Sequence, residues 1–287
     1  MSGCFRRDLL KYSAVLGAGS LGLTSATSVR AAAGNQQWAF QTDDDVSSSP
    51  TVVDGTVYVG SWDGNLYAVD AASGDKQWAF ETGYYVGSAP TVADGTVYVG
   101  SNDDTLYAVD AATGEQQWAF ETTEPVASSP TVVDGIVYVG GGDYNLYAVD
   151  GVSGDQQWAF QTDGPVWSSP TVADGTVYVG SHDGNLYAVD AASGDQQWAF
   201  ETGGNVAISY VSSSPTVVDG TVFVGSRDDN LYAVDASDGT EQWRFETGGN
   251  VDSSPTVADG TVYVGSGDNN LYAVDASDGI ALAVMAI

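Results

Sequence analysis

Few residues in this sequence can do covalent or metal chemistry. His182 is the only histidine and Cys4 the only cysteine. A zinc site needs several nitrogen or sulfur ligands, so no metal site is expected. A Ser–His–carboxylate triad needs a histidine held against both partners, and one histidine in a polar turn gives no such arrangement, so no catalytic residue is assigned. The turns Asp63-Gly64-Asn65 and Asp183-Gly184-Asn185 carry oxygen atoms that a hard cation could use. They lack the spacing of a calcium loop, and hairpin chemistry accounts for them without metal. What remains is recognition. Aromatic rings and arginine are the side chains that anchor partners. Trp62, Tyr84, Tyr85, Trp167, His182, Tyr210 and Arg227 all stand at positions where other copies of a repeat carry residues such as Asn, Gly or Pro.

That repeat is what must position them. Tryptophans recur at Trp38, Trp78, Trp118, Trp158, Trp198 and Trp243, with four steps of 40 residues and a last step of 45. Each copy carries Ser-Pro or Ala-Pro before Thr-Val, then an Asp-Gly pair, then Leu-Tyr-Ala-Val-Asp. A fixed period of this length marks a repeat architecture. Every copy holds four short runs rich in Val, Tyr, Trp and Phe, bounded by turn residues; in the fourth copy they are 169–173, 176–180, 185–190 and 197–201. Asp174-Gly175 suits a two-residue hairpin loop, since Gly accepts positive φ and Asp tolerates it. No segment sustains a 3.6-residue period. The expected fold is all-β, a six-bladed β-propeller of four-stranded antiparallel blades. A lone tryptophan strand at 36–42 precedes the first full copy, and the last copy has Ala283 in place of its tryptophan. The N-terminal strand is therefore expected to close the last blade, which leaves the tail 280–287 redundant.

Comparing the copies divides the connections into two sets. The Asp-Gly hairpin and the Ser/Thr-Gly turn before each tryptophan barely change, and antiparallel order puts both on one rim. The opposite rim varies. Between one copy and the next stand Asp44-Asp45, Tyr84-Tyr85, Glu124-Pro125, Pro165-Val166-Trp167, a longer loop ending at Tyr210, and a loop ending at Asp252. Between the second and third strands stand Trp62, Asn102, Gly142, His182, Arg227 and Gly267. Binding concentrates in loops carried by a rigid scaffold, so the seven residues above are the candidate binding face.

Residues 1–33 read as an address rather than as fold. A charged start with Arg6-Arg7 and Lys11, an apolar stretch from Tyr12 to Ala26, and Ala31-Ala32-Ala33 form the three regions of an export signal. The Arg6-Arg7-x-Leu9-Leu10-Lys11 run resembles a twin-arginine signal. The expectation is a signal peptide over 1–33, one domain over 34–287, and an extracellular or cell-surface location. The chain carries 38 acidic against 7 basic residues, a net charge of −31. Loss of residues 1–33 would remove one acid and four bases, leaving −34 with Lys76, Arg227 and Arg244 as the strong cations. Partners bound through phosphates need a basic face, so no nucleic acid is expected. Such a field repels itself unless salt screens it, which points to a halophile-type protein.

The stretch before each tryptophan follows Ala-x-Asp-x-x-(Ser/Thr)-Gly-x-x-x-Trp, complete in Ala68–Trp78, Ala108–Trp118, Ala148–Trp158 and Ala188–Trp198. Ala233–Trp243 fits with Asp238 in the hydroxyl position. This is similar to the tryptophan-docking motif of the pyrroloquinoline-quinone (PQQ) repeat family of β-propellers. The resemblance implies that the six tryptophans are structural wedges between blades. It also implies one of two functions. Some members are quinoprotein dehydrogenases that bind PQQ with a metal. Others, including the propeller subunit of the bacterial outer-membrane barrel-assembly machinery, are scaffolds or binders. The family's rings commonly have eight blades, against six repeats here. The dehydrogenases are longer and carry an adjacent cysteine pair that this chain lacks. PQQ is a tricarboxylate and calls for Arg and Lys, which are scarce here, so no cofactor is expected. The resulting expectation is an exported, non-enzymatic, monomeric propeller that binds protein or carbohydrate through its variable face. The alternatives are a PQQ-dependent dehydrogenase-like enzyme and a degraded repeat protein without a partner.

Overall fold

The computed structural model describes residues 35–203 and 210–286. Among the described residues there are twenty-four strands and no helix. The strands form six antiparallel four-stranded sheets over 51–81, 91–121, 131–161, 171–201, 216–246 and 256–286, each in simple sequential order. This is the sheet arrangement of a β-propeller.

Each sheet is built by the local rules legible in the sequence. In the first, Val53 pairs with Thr56 across Asp54-Gly55, whose φ angles of 48° and 78° are both left-handed. Asp followed by Gly meets that demand at little cost. The two central strands, Thr56–Gly60 and Asn65–Asp70, are buried on both faces because a neighbouring element covers each side. The outer strand, Lys76–Glu81, alternates, turning Trp78 inward and its neighbours to solvent.

The cores lie between sheets. One cluster joins Tyr98, Leu106, Ala108 and Trp118 of the second sheet to Val137, Val139, Tyr147 and Val149 of the third and to Val126 of the loop between them. Three polar contacts recur at this interface. The indole of Trp118 donates to the carbonyl of Gly151 at 3.0 Å, the Tyr98 hydroxyl reaches the same oxygen at 3.1 Å, and Thr91 Oγ1 donates to the Pro130 carbonyl. Gly154 lies flat under Trp118 with φ +77°, and a Cβ there would come within 2.9 Å of the ring. The docking glycine is thus required twice, by its backbone and by the indole above it. All six docking tryptophans donate to the following sheet in this way, from Trp38 to Ala71 at 2.9 Å through Trp243 to Ala276 at 3.1 Å.

The closure expected from the sequence is not what the chain adopts. The fourth strand of the last sheet is its own tail, Ala281–Ala286, in register with Asn270–Val274, and Ala283 stands opposite Ala273. Residues 36–42 form no strand. Trp38 and Phe40 pack instead on Val57, Val59, Tyr67 and Val69 of the first sheet. The reason is proximity along the chain. The tail follows its partner strand through one short turn, whereas the Trp38 segment would have to return across five sheets, and closing a longer loop costs more entropy. One face of the sixth sheet is open. Tyr263 and Leu271 of the sixth sheet are 41% and 39% exposed, whereas their counterparts Tyr98 and Leu106 are buried.

Candidate functional site

The variable rim is organised by one backbone bond in every copy. The residue in the turn between the second and third strands donates its N–H to the loop that enters the same sheet. Trp62 reaches Asp45 at 2.8 Å, Asn102 Tyr85, Gly142 Pro125, His182 Pro165, Arg227 Tyr210 at 3.0 Å and Gly267 Asn250. Turn and loop therefore leave the scaffold side by side, and their side chains meet those of the next sheet's loop.

Seven residues singled out in the sequence separate into two clusters. In the first, Trp62 stacks on Tyr85 with ring centroids 5.3 Å apart and an interplanar angle of 24°, and Tyr84 lies 3.9 Å from Tyr85. Trp62 is 43% and Tyr84 53% exposed. In the second, His182 stacks on Tyr210 at 4.4 Å and 4°, while Trp167 meets the imidazole edge-on at 4.5 Å. His182 Nε2 also bonds Ser212 Oγ at 2.9 Å. Arg227 extends this row, its guanidinium 5.8 Å from the Tyr210 ring and its Nε donating to Asp252 at 2.7 Å. Trp167 remains 48% exposed at the end of the row.

Electrostatics within the second cluster favour a neutral imidazole. Burial between the rings pushes the His182 pKa below its ordinary value, and the Arg227 charge adds to this; Asp252 and Asp183 oppose it. His182 is thus less a solvated turn residue than a packed ring between two others. Arg227 is pushed the other way, chiefly by its bond to Asp252.

Two residues of the rim were not singled out in advance. Asp252 holds Arg227, and its signal was present, since the other copies carry Ser, Gly, Ala, Trp and Ser at that place. Tyr144, exposed and at φ 72°, lines a cavity of about 530 Å³ with Pro125, Gly142 and Trp167.

The repeated Asp turns are structural. Asp63 Oδ1 accepts from the N–H and Nδ2 of Asn65, and Oδ2 accepts from the Tyr67 hydroxyl at 2.7 Å and the N–H of Asp43 at 3.0 Å. Burial opposes its charge, but the bonds from Asn65 and Tyr67 outweigh this and hold the carboxyl below the usual range. The same pairing, after burial, pushes Tyr107 of the second sheet up to about 12. There Thr105 replaces the asparagine, and Asp103 Oδ1 is left buried without a partner. No group of three or more metal-ligating side chains gathers among the described residues.

The sequence profile of a family described as outer membrane protein assembly factor BamB matches the chain three times, over residues 24–131, 124–218 and 210–282. No curated protein sequence matches it significantly. Among solved structures, BamB from Moraxella catarrhalis is similar at 21% identity and TM-score 0.76, over 87% of this chain and 79% of that one. The computationally designed Ika8 protein is similar at 17% identity and TM-score 0.74, over 84% of this chain and 74% of that one. At these identities the likeness to both structures is one of fold.

Proposed function

Since the chain belongs to the BamB family of PQQ-like repeat β-propellers, we propose that it is a non-enzymatic binding scaffold that holds a protein partner on its variable rim. One observation carries this reading. Five docking tryptophans, Trp78, Trp118, Trp158, Trp198 and Trp243, are buried between sheets and Trp38 docks on the first, whereas Trp62, Tyr84 and Trp167 stand exposed on the rim whose loops differ from copy to copy. Large aromatic anchors in variable loops on a rigid frame are what recognition uses. The same exposed rings suit stacking on a sugar, which makes carbohydrate the second reading.

The residues present do not fit PQQ. A tricarboxylate calls for several free cations. Beyond residue 33 the strong cations are Lys76, Arg227 and Arg244. Arg227 is bonded to Asp252 and Arg244 lies beside Glu241 on an outer strand. In keeping with membership of a family of outer membrane assembly factors, we propose a location at the cell envelope or outside it, reached through the twin-arginine-like signal of residues 1–33, which lies outside the described residues. Its net charge of −31 suits work in strong salt.

The test is affinity capture from the exported fraction in molar salt, comparing the native chain with Trp62→Ala and Trp167→Ala. A protein retained by the native chain and lost from both variants supports the reading. Retention that ignores both substitutions overturns the rim assignment, and capture of glycan alone favours the second reading. A cofactor spectrum with dye reduction after adding PQQ and calcium would overturn the non-enzymatic assignment.

A further inference from the structure

We propose that the Trp62–Tyr84–Tyr85 cluster receives a cationic side chain, arginine or lysine, from a basic segment of the partner. This rests on the reading that the variable rim binds protein, and it adds what kind of partner the first cluster fits.

The chain contains its own precedent. Trp62 and Arg227 occupy the same position in two copies, and both donate their N–H to the entering loop, at 2.8 and 3.0 Å. Their side chains thus leave the scaffold from equivalent points. At the fifth sheet that point carries a cation, and its surroundings are one ring and one carboxylate: the Tyr210 face at 5.8 Å and Asp252 at 2.7 Å. At the first sheet the point carries a ring instead. Around it the same two kinds of group recur without the cation. Tyr85 stacks on Trp62 and Tyr84 lies against Tyr85. The carboxylates of Asp43, Asp44 and Asp45 lie on the loop whose carbonyl holds the Trp62 N–H, and all three residues are exposed.

Among the described residues the ion pairs are Arg227 with Asp252 and Arg244 with Glu241, and neither reaches the first cluster. The third cation among them, Lys76, starts the outer strand of the first sheet opposite Val69, at the constant-rim end of that strand. An indole or phenol face attracts a guanidinium or ammonium through its quadrupole, and it does so best for Trp. Nearby carboxylates reinforce this with charge, strongly in dilute salt and weakly in molar salt, where the Debye length is about 3 Å. A chain at −31 also steers basic partners toward it and repels acidic ones. An anionic ligand is thus disfavoured at this cluster, and a neutral sugar, which can hydrogen-bond the carboxylates, gains nothing from their charge.

The experiment uses the whole protein and two fluorescent peptides with a Gly-Ser background. One carries two arginines; in the other citrulline replaces both, keeping shape and hydrogen-bonding groups without the charge. The expected result is saturable binding of the arginine peptide that weakens at least tenfold with citrulline. It should weaken tenfold again in Trp62→Ala or Tyr84→Ala, and be unchanged in Val152→Ala, an exposed residue of the constant rim. Equal affinity for the two peptides, absence of binding by either, or equal loss in Val152→Ala would overturn the proposal. Failure of the wider reading looks different, because partner capture would then survive both Trp62→Ala and Trp167→Ala. Capture that needs Trp62 while the arginine peptide shows no preference over citrulline sinks the cation proposal alone.

Discussion

Trp118 and Trp62 are the same residue on two rims that serve opposite ends. Trp118 is 8% exposed, lies over Gly154 and donates to the Gly151 carbonyl. Trp62 is 43% exposed and stacks its ring on another rim side chain, Tyr85. The first belongs to a position that is tryptophan in every sheet but the last, where Ala283 stands, the second to one that differs in nearly all of them. The difference teaches where this chain keeps its stability. It sits between sheets and along the constant rim, where each tryptophan, tyrosine and glycine completes its neighbour's packing. The variable rim is then free to change without cost to the fold, and that freedom is what a binding surface needs.

The strongest way to break this comparison is to truncate both tryptophans. Trp118→Ala removes a buried indole and its hydrogen bond, and should cost about 3–5 kcal/mol in denaturant unfolding. Trp62→Ala should stay within about 0.5 kcal/mol of the native protein, as surface substitutions do. Comparable losses at both sites would mean that the rim cluster is part of the core. Next comes Gly154→Ala, which forces a Cβ into the Trp118 ring at a left-handed φ of +77°. Backbone strain alone predicts a loss of about 1–3 kcal/mol. Because both residues share one contact, the double variant with Trp118→Ala should lose less than the two single losses together. Strict additivity would show that the glycine is needed for its backbone alone. A smaller effect is expected of Tyr98→Phe. It deletes the bond to Gly151 and should cost about 0.5–1.5 kcal/mol. The fifth sheet already carries Phe223 at this place, buried and tilted at 44° against Trp243 with centroids 5.8 Å apart. The ring is therefore tolerated without its hydroxyl, and the native Tyr98 measures what the hydroxyl adds.

Much of the fold was legible because each copy repeats its own rules. The expected second and third strands of the fourth sheet are the observed ones, Thr176–Gly180 and Asn185–Asp190. The first strand starts later than its β-type residues suggest, at Thr171, because the N–H of Ser169 bonds Ser214 of the next sheet rather than a strand partner. The outer strand starts one residue earlier, at Gln196, because a bulge at Ala188/Val189 lets Gln196 pair with Val189. Closure by the Trp38 strand failed for a different reason. Strand identity was not legible at the two ends, where 36–42 was read as a strand and forms none while the tail read as redundant supplies one; the choice between them depends on chain connectivity and not on propensity. At the rim, the copies showed which positions differ but not which of them touch. The stack of His182 on Tyr210 crosses from one sheet to the next, and Asp252 joins it from a third.

The mildest prediction separates the two rim clusters by pH. His182 is held neutral mainly by burial against its ring neighbours and secondarily by Arg227. Its folded pKa is lowered, so the unfolded chain takes up the proton first as the solution is acidified. The stability that depends on the neutral ring is complete above the ordinary histidine value near 6.5 and is lost as pH falls through it toward the lower folded value. Between pH 7.5 and 5.5 the native protein should therefore lose slightly more melting temperature than His182→Gln. Parallel curves would show that the imidazole is not held by its neighbours. Binding should divide along the same line. Protonated His182 would stand beside the Arg227 charge, so contacts that depend on Trp167 should weaken on acidification. Contacts that depend on Trp62 have no histidine in their stack and should hold over that range. Equal pH dependence at both clusters would show that the rim acts as one surface and not two.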